Sequence, residues 1–406
     1  MCAYAEYPIT TGKLVTIKDM AQFEDYLKIY CCIFDVEFTH LESKIDFEHY
    51  ISSSKCVIEG FNIEDNGRVV YADILKTTLT HIDFEIIKAT YQWSKIRIKN
   101  FRIYKKGYLP RDLILTILKF YSDKTTLKGV EEELINYQSA KANVNSIYGC
   151  MVTSVVRTQH NYDNDVWEDS EPNLIEELEK YDNSRNRFNF YGWGLIVTAL
   201  ARRLWNIWTG IYTIGRKGDY LYSDTDSLKI LHYERHQKYI DSYNKIVEHR
   251  LKTMCNRLKI DFSLCAPKTI KGETKMLGVY DFEGVYDKFR TLGAKRYMTY
   301  KDGQLSYTIA GCGKIKGVPY LIEKFKGDID KIFEFFNDDF FIPSDYTMKQ
   351  THTYVDEGFE TDVIDYLGVK CHIKEKSFIH LEPCEFNLSI GHRFIEYLKT
   401  FRKDLF

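Results

Sequence analysis

The sequence has no apolar run of 18 residues, the length at which a membrane-spanning helix becomes a candidate. Its first residues, Met1-Cys2-Ala3-Tyr4-Ala5-Glu6, lack the basic and apolar regions of a secretory signal. Both absences predict a cytoplasmic chain with no membrane partner. There is no Cys-x-x-Cys pair among the ten cysteines, and Cys31 and Cys32 are adjacent, a spacing that suits neither zinc nor an ordinary disulfide. The expectation is reduced thiols, most of them buried. Proline is scarce, seven in 406 residues, which excludes Pro-rich architecture, and no internal repeat points to a solenoid. Charge of one sign is also lacking. The 56 Lys and Arg nearly balance 58 Asp and Glu, which excludes a wholly basic nucleic-acid binder and leaves any such role to local charge.

Apolar material is ample, at 44% hydrophobic and 15% aromatic residues, enough for the packed cores of two or three domains. Residues 1–110 read as mostly β, with strands at Cys31–Phe38 and Val69–Ile74 and a short helix over Asp83–Tyr91. From Lys88 to Arg111 there are eight basic residues and no acidic one, with Tyr91, Trp93, Phe101, Tyr104 and Tyr108 interleaved. Lys95, Arg97 and Lys99 alternate with isoleucines, so one face of that strand is cationic. Such a face suits phosphates, with aromatics stacking on bases, and a solvated sheet face is the plain alternative. Helices are expected over Arg111–Phe120, Glu131–Tyr148, Gly192–Trp208 and Tyr239–Leu258. Residues 151–190 look polar and irregular, like an insertion. Strands return over 280–315, with turns at Asp302-Gly303 and Gly311-Cys312-Gly313. Between Asp328 and Asp365 stand eleven acidic residues and two lysines.

Three segments carry chemistry. The first is Tyr222-Ser223-Asp224-Thr225-Asp226-Ser227, where a strand enters a tight turn and Leu228-Lys229-Ile230-Leu231 leaves as a second strand. Carboxylates two residues apart at a hairpin tip converge and repel unless a divalent cation lies between them. Oxygen ligands of this kind suit Mg²⁺, and two such ions make the clamp used in phosphoryl transfer. An Asp-x-Asp turn capping its own backbone is the bland reading of the tripeptide alone. In the second segment, Lys141, Asn145 and Tyr148 stand at i, i+4 and i+7 and share a helix face, with Gly149 ending the helix. An ammonium there suits a triphosphate and the phenol ring a sugar or base. The third is Lys295 and Tyr297, on one face of an expected strand. For the last two, a surface helix and a structural strand remain the plain readings.

In this order, the segments resemble family B DNA polymerases. Tyr222–Ser227 is similar to that family's Tyr-x-Asp-Thr-Asp-Ser motif, Lys141–Gly149 to its Lys-x-x-x-Asn-Ser-x-Tyr-Gly motif, and Lys295 and Tyr297 to its Lys-x-Tyr motif. The short spacing looks most like the protein-primed branch of phages and linear plasmids. The resemblance implies an α+β right-hand polymerase of palm, fingers and thumb, with inserted subdomains on either side of the fingers. Residues 1–110 would be the start of the palm and the terminal-protein-binding insertion. Fingers helices would follow at 111–150, a strand-displacement insertion at 151–190, palm at 191–315 and thumb at 316–406. It implies template-directed DNA synthesis by a two-metal mechanism, with two Mg²⁺ or Mn²⁺ ions on Asp226 and Asp224. Thr225, Tyr222 and Ser227 would flank them. Lys141, Asn145 and Tyr148 would hold the incoming deoxynucleotide, Tyr148 near the sugar, with Ser146 and Gly149 in the motif. Lys124, with Lys128 as rival, would be a second phosphate-binding lysine. Lys295 and Tyr297 would hold the primer end. Partners would be template and primer DNA, deoxynucleoside triphosphates and a terminal protein primer.

The family's first motif, Asp-x-x-Ser-x-Tyr-Pro, supplies its other main metal ligand and has no match here. Tyr7-Pro8 ends a similar pattern, but the Asp position falls on Cys2. The family's exonuclease domain is also missing. The chain therefore looks like a C-terminal polymerase portion, whose partner would be an N-terminal half carrying both, and in isolation it is expected to be inactive or nearly so. The rival reading is a non-catalytic or split-polymerase DNA-binding subunit that needs another chain for the missing Asp. A third is a nucleotide-binding or structural protein with an Asp-x-Asp turn.

Overall fold

The fold was obtained as a computed structural model. It describes residues 2–387 apart from 46–48, 66, 164–165, 186–189, 204–218, 225–226, 294, 338–339, 356–358, 365–367, 369 and 376–377. The described residues form two compact units of mixed helix and strand. One lies within Met1–Thr153 and Phe188–Glu283, the other within Ser154–Arg187 and Gly284–Ile390.

The first unit begins with strands β1 (Tyr7–Pro8) and β2 (Lys13–Leu14) and helix α1 (Met20–Ile29). Long strands β3 (Cys31–Ser43), β4 (Val57–Asp65) and β5 (Arg68–Thr80) follow, then α2 (His81–Thr90), β6 (Tyr91–Gln92), β7 (Lys95–Tyr104) and β8 (Lys106–Gly107). An antiparallel sheet runs in the order β2-β7-β3-β5-β4, with β6 paired to β3. Alternation places Phe34, Val36 and Phe38 of β3 inside. His40 then takes a left-handed conformation (φ 48°), and the buried set shifts phase to Leu41. Phe23 of α1 packs against Phe34, Phe84 and Phe101, with ring centroids 5.1, 5.3 and 5.4 Å away in edge-to-face geometry.

Thr80 and Asp83 form a reciprocal cap at the start of α2. The Asp83 N–H donates to Thr80 Oγ1 (3.2 Å), and the Thr80 N–H donates to Asp83 Oδ2 (3.0 Å). This cap starts the helix at His81, two residues before the sequence pattern alone suggests. His81 Nδ1 accepts the Cys32 N–H at 3.3 Å. Burial, reinforced by Lys106 and Arg203, pushes the imidazole down to about 3 from its ordinary 6.5. The unfolded chain therefore binds this proton first. The stability His81 confers is complete above pH 6.5 and is lost as pH falls towards 3. Between pH 6.5 and 4 the loss is expected to reach up to about 3 kcal/mol. Urea titrations across that range, compared with His81→Gln, measure it; a slope unchanged by the substitution would contradict it.

Helices α3 (Arg111–Thr126) and α4 (Leu134–Val152) come next in this unit, and α3 runs six residues beyond the expected Phe120. Residues 154–187 belong to the second unit and are not irregular. They hold a hairpin of β9 (Gln159–Asp163) and β10 (Val166–Ser170) and a helix, α5 (Leu174–Asn183). The first unit resumes with α6 (Tyr191–Arg203), strands β11 (Tyr220–Asp224) and β12 (Ser227–Ile230), and α7 (Tyr233–Leu258). The buried stripe of α7, Tyr243, Val247, Leu251 and Met254, has helical spacing and joins Ile114, Leu118, Ile196 and Tyr7 in a second core. Trp193 Nε1 donates to the Pro8 carbonyl at 2.9 Å, fixing α6 against β1.

In the second unit, β13 (Lys288–Thr291), β14 (Arg296–Lys301) and β15 (Gln304–Ile309) form an antiparallel meander. The β14–β15 turn is Asp302-Gly303, both residues at positive φ, as a two-residue hairpin turn requires. Helices α8 (Lys314–Lys324) and α9 (Ile329–Phe335) follow, and short strand pairs extend to Asn387. Eight described cysteines are free thiols, five of them buried. Among the described residues no helix is long and apolar enough to cross a membrane.

Candidate functional site

Strands β11 and β12 pair antiparallel, with Asp224 opposite Ser227. Tyr220, Leu221 and Tyr222 are buried at the base, and Asp224 and Ser227 are half-exposed at the open end. Tyr222 is thus a core residue that seats the hairpin, and the Tyr220 and Ser223 hydroxyls lie 2.8 Å apart. Thr225 and Asp226 lie outside the described residues. Asp224 offers the hard oxygen donor that Mg²⁺ takes, so the donor chemistry fits the ion. Among the described residues no group of three or more His, Cys, Asp or Glu converges as a metal site.

A pair invisible to sequence spacing anchors the hairpin. Asp219, buried just before β11, lies 2.7 Å from His236 Nε2, with Arg235 at 3.9 Å and His232 at 4.0 Å. His236 is buried on the first turn of α7, and the Leu231 N–H returns to the Asp219 carbonyl at 2.8 Å. This tertiary contact is why α7 begins at Tyr233 rather than Tyr239. At the far strand, Lys229 Nζ meets Glu283 at 3.4 Å.

Helix α4 carries Lys141, Asn145 and Tyr148 on one side, the first two exposed and Tyr148 half-exposed. Ser146 is exposed and its hydroxyl donates back to the Ala142 carbonyl at 2.8 Å. Gly149 does not end the helix, which continues to Val152 because Met151, 2% exposed, extends the buried face begun at Ala140. A Cβ on Gly149 would meet no described atom within 4 Å, so packing against the described residues does not demand the glycine. Lys124 is half-buried on the last turn of α3, the helix that packs against α4. Lys128 is exposed beyond the end of α3.

Lys95, Arg97 and Lys99 are exposed along β7, on one face of the strand. The neighbouring strand supplies Glu37 opposite them, 3.3 Å from Arg97 and 4.0 Å from Lys99, so part of that positive charge is answered within the sheet. In the second unit, Lys295 is not on a strand. It occupies a left-handed position (φ 53°) after Gly293 (φ 121°), and β14 starts at Arg296. Strand alternation therefore does not place it beside Tyr297. Tyr297 is on β14 and stacks on Phe289 of β13, with centroids 5.7 Å apart and planes at 25°.

No protein-family model matches this sequence, and no curated protein matches it. Solved structures of Phi29 DNA polymerase do resemble the fold. The polymerase bound to primer-template DNA and incoming nucleotide is similar with a TM-score of 0.51 at 15% identity, over 96% of this chain and 56% of that one. Its complex with single-stranded DNA gives a TM-score of 0.49 at 16% identity, over 95% and 55%. An orthorhombic crystal form gives 0.46 at 17%, over 95% and 54%. The chain thus spans little more than half the length of the polymerase it resembles, and at these identities the likeness is one of fold.

Proposed function

We propose that this chain is the C-terminal polymerase portion of a protein-primed family B DNA polymerase, laid out as palm, fingers and thumb. The observation that carries the reading is the Tyr-Ser-Asp-Thr-Asp-Ser segment on a two-stranded hairpin, within a fold similar to that of a DNA polymerase along 96% of the chain. Asp224 and Asp226 would hold divalent ions at the open end of the hairpin. Such ions, when bound, neutralise phosphate charge and stabilise in-line displacement. Lys141 places a point charge for the triphosphate, and Lys124 a second one on the adjoining helix. Asn145 and Tyr148 line the pocket for sugar and base, and the open space at Gly149 admits a close approach. Tyr297 and Lys295 engage the primer end, and Lys95, Arg97 and Lys99 track the DNA backbone. Template and primer DNA, deoxynucleotides and a terminal protein are the partners on this reading.

A second reading is a non-catalytic or split-polymerase DNA-binding subunit. A carboxylate from polypeptide outside this sequence would complete the metal set, and this chain would bind nucleotide and DNA without turning over by itself. Both readings require Asp226 at the ion. Asp226→Ala is expected to lower Mg²⁺-dependent deoxynucleotide binding at least about tenfold, the scale of one lost charge-assisted contact, with the circular dichroism spectrum unchanged. Equilibrium dialysis with and without Mg²⁺ measures it. Unaltered binding would instead favour an Asp-x-Asp turn of purely structural use.

A further inference from the structure

A cleft of about 750 Å³ opens in the first unit between α1, α2, α6, α7 and the β8 region. None of its lining residues belongs to the β11–β12 hairpin, α3, α4 or β14. Its size is that of a small-ligand pocket. The wall carries five cations, Lys28, Lys88, Lys106, Arg203 and Arg250, against three carboxylates, Glu6, Glu24 and Glu85. Three of the cations are answered locally, Lys28 by Asp25 at 3.0 Å, Lys88 by Glu24 and Arg203 by Glu85 at 3.0 Å. Glu6 lies 3.9 Å from Arg257. The Lys106 ammonium donates to the neutral Lys28 carbonyl at 2.9 Å, so its charge is not cancelled by that contact.

His81 adds a neutral donor. Its Nδ1 takes the Cys32 N–H, which leaves the ring proton on Nε2. Lys106 and Arg203 both act on this ring electrostatically, so cations gather around it. His81 also opens α2, a ten-residue helix whose N-terminal dipole adds positive potential. Leu27, Phe84 and Tyr108 contribute apolar surface beside this donor set. Guanidinium and ammonium groups with an N–H donor match a phosphate, and the ring and aliphatic surface match what a phosphate carries in a nucleotide.

We propose that this cleft is a second nucleotide site, which binds a nucleoside phosphate through Lys106, Arg203 and Arg250 without a divalent ion. The test is calorimetric titration of the full chain with ATP in EDTA, which suppresses metal-dependent binding at the hairpin. The expected result is one saturable ATP site per chain. Lys106→Gln and Arg250→Gln should each weaken it at least tenfold with the circular dichroism spectrum retained, and Lys141→Ala should leave it within twofold. Three outcomes would overturn the proposal: no saturable binding in EDTA; loss in Lys141→Ala with retention in Lys106→Gln and Arg250→Gln; or inorganic phosphate or a 5′-phosphorylated trinucleotide binding as tightly as ATP.

Discussion

Asp83→Ala is expected to destabilise the protein by about 2–4 kcal/mol, the scale of a lost helix cap together with a buried hydroxyl left without its acceptor, the half-exposed Arg202 adding little. Asp83 is 7% exposed and accepts four donors. These are the Thr80 N–H at 3.0 Å, the Thr80 hydroxyl at 2.7 Å, the Tyr50 hydroxyl in a short contact, and Arg202 Nη2 at 3.0 Å. Removing the carboxylate takes the reciprocal cap from α2, leaves the Tyr50 hydroxyl without its acceptor, and deprives the Arg202 guanidinium of its anion. Arg202 also lies over the Tyr50 ring, 5.6 Å from its centroid, so the three residues act as one cluster. Arg202 is on α6, the last described helix before the hairpin, and Asp83 is on α2 beside the five-stranded path of the sheet. The cluster therefore ties the sheet and α2 to α6, which packs against α4. Urea denaturation measures the effect; a loss below about 1 kcal/mol, the scale of one ordinary hydrogen bond, would contradict this role. Asp83→Asn keeps the volume but brings donors where donors already point, and should recover less than half of the loss.

Lys141→Ala is expected to weaken the Mg²⁺-dependent component of deoxynucleoside triphosphate binding, the part abolished by EDTA, about 10–100-fold, since a hydrogen bond to a charged group contributes about 1.5–3 kcal/mol. The substitution is in an exposed helical position and alanine is the best helix former, so folding stability should stay within about 0.5 kcal/mol. Lys141→Arg should retain most of the affinity, because the charge is kept. Binding of a deoxynucleoside without phosphates should be weak and the same in both variants. Fluorescence titration with labelled nucleotide separates these cases. Equal losses for nucleotide and nucleoside would place Lys141 outside the phosphate contact.

The hairpin was legible because its information is local. Buried aromatic residues from Tyr220 to Tyr222, then carboxylates, then Leu228 to Ile230, specify strand, turn and strand within eleven residues. The helical face at Lys141, Asn145 and Tyr148 was legible for the same reason. Its C-terminus was not. A helix interior tolerates glycine at a cost of about 1 kcal/mol, and burial of Met151 offsets that cost at Gly149. The 151–190 segment concealed β9 and β10 because Gln159-His160-Asn161-Tyr162-Asp163 has no apolar alternation, and pairing with a neighbouring strand defines such a strand. Lys295 misled strand periodicity because two positive-φ residues make a turn at its position. The Asp219–His236 anchor, the Glu37 partners of Arg97 and Lys99, and the cationic cleft all join residues distant in sequence. No spacing rule reaches them.

Template direction separates a polymerase from any other protein that binds nucleotide and magnesium. With this chain, a primer-template and Mg²⁺, the deoxynucleotide complementary to the next template base should stabilise a ternary complex at least about tenfold more than the three others, about 1.4 kcal/mol of discrimination. The preference should follow the template when that base is changed, and it should disappear in Asp226→Ala. Equal stabilisation by all four deoxynucleotides, or a preference that ignores the template base, would contradict a polymerase site on the hairpin and α4.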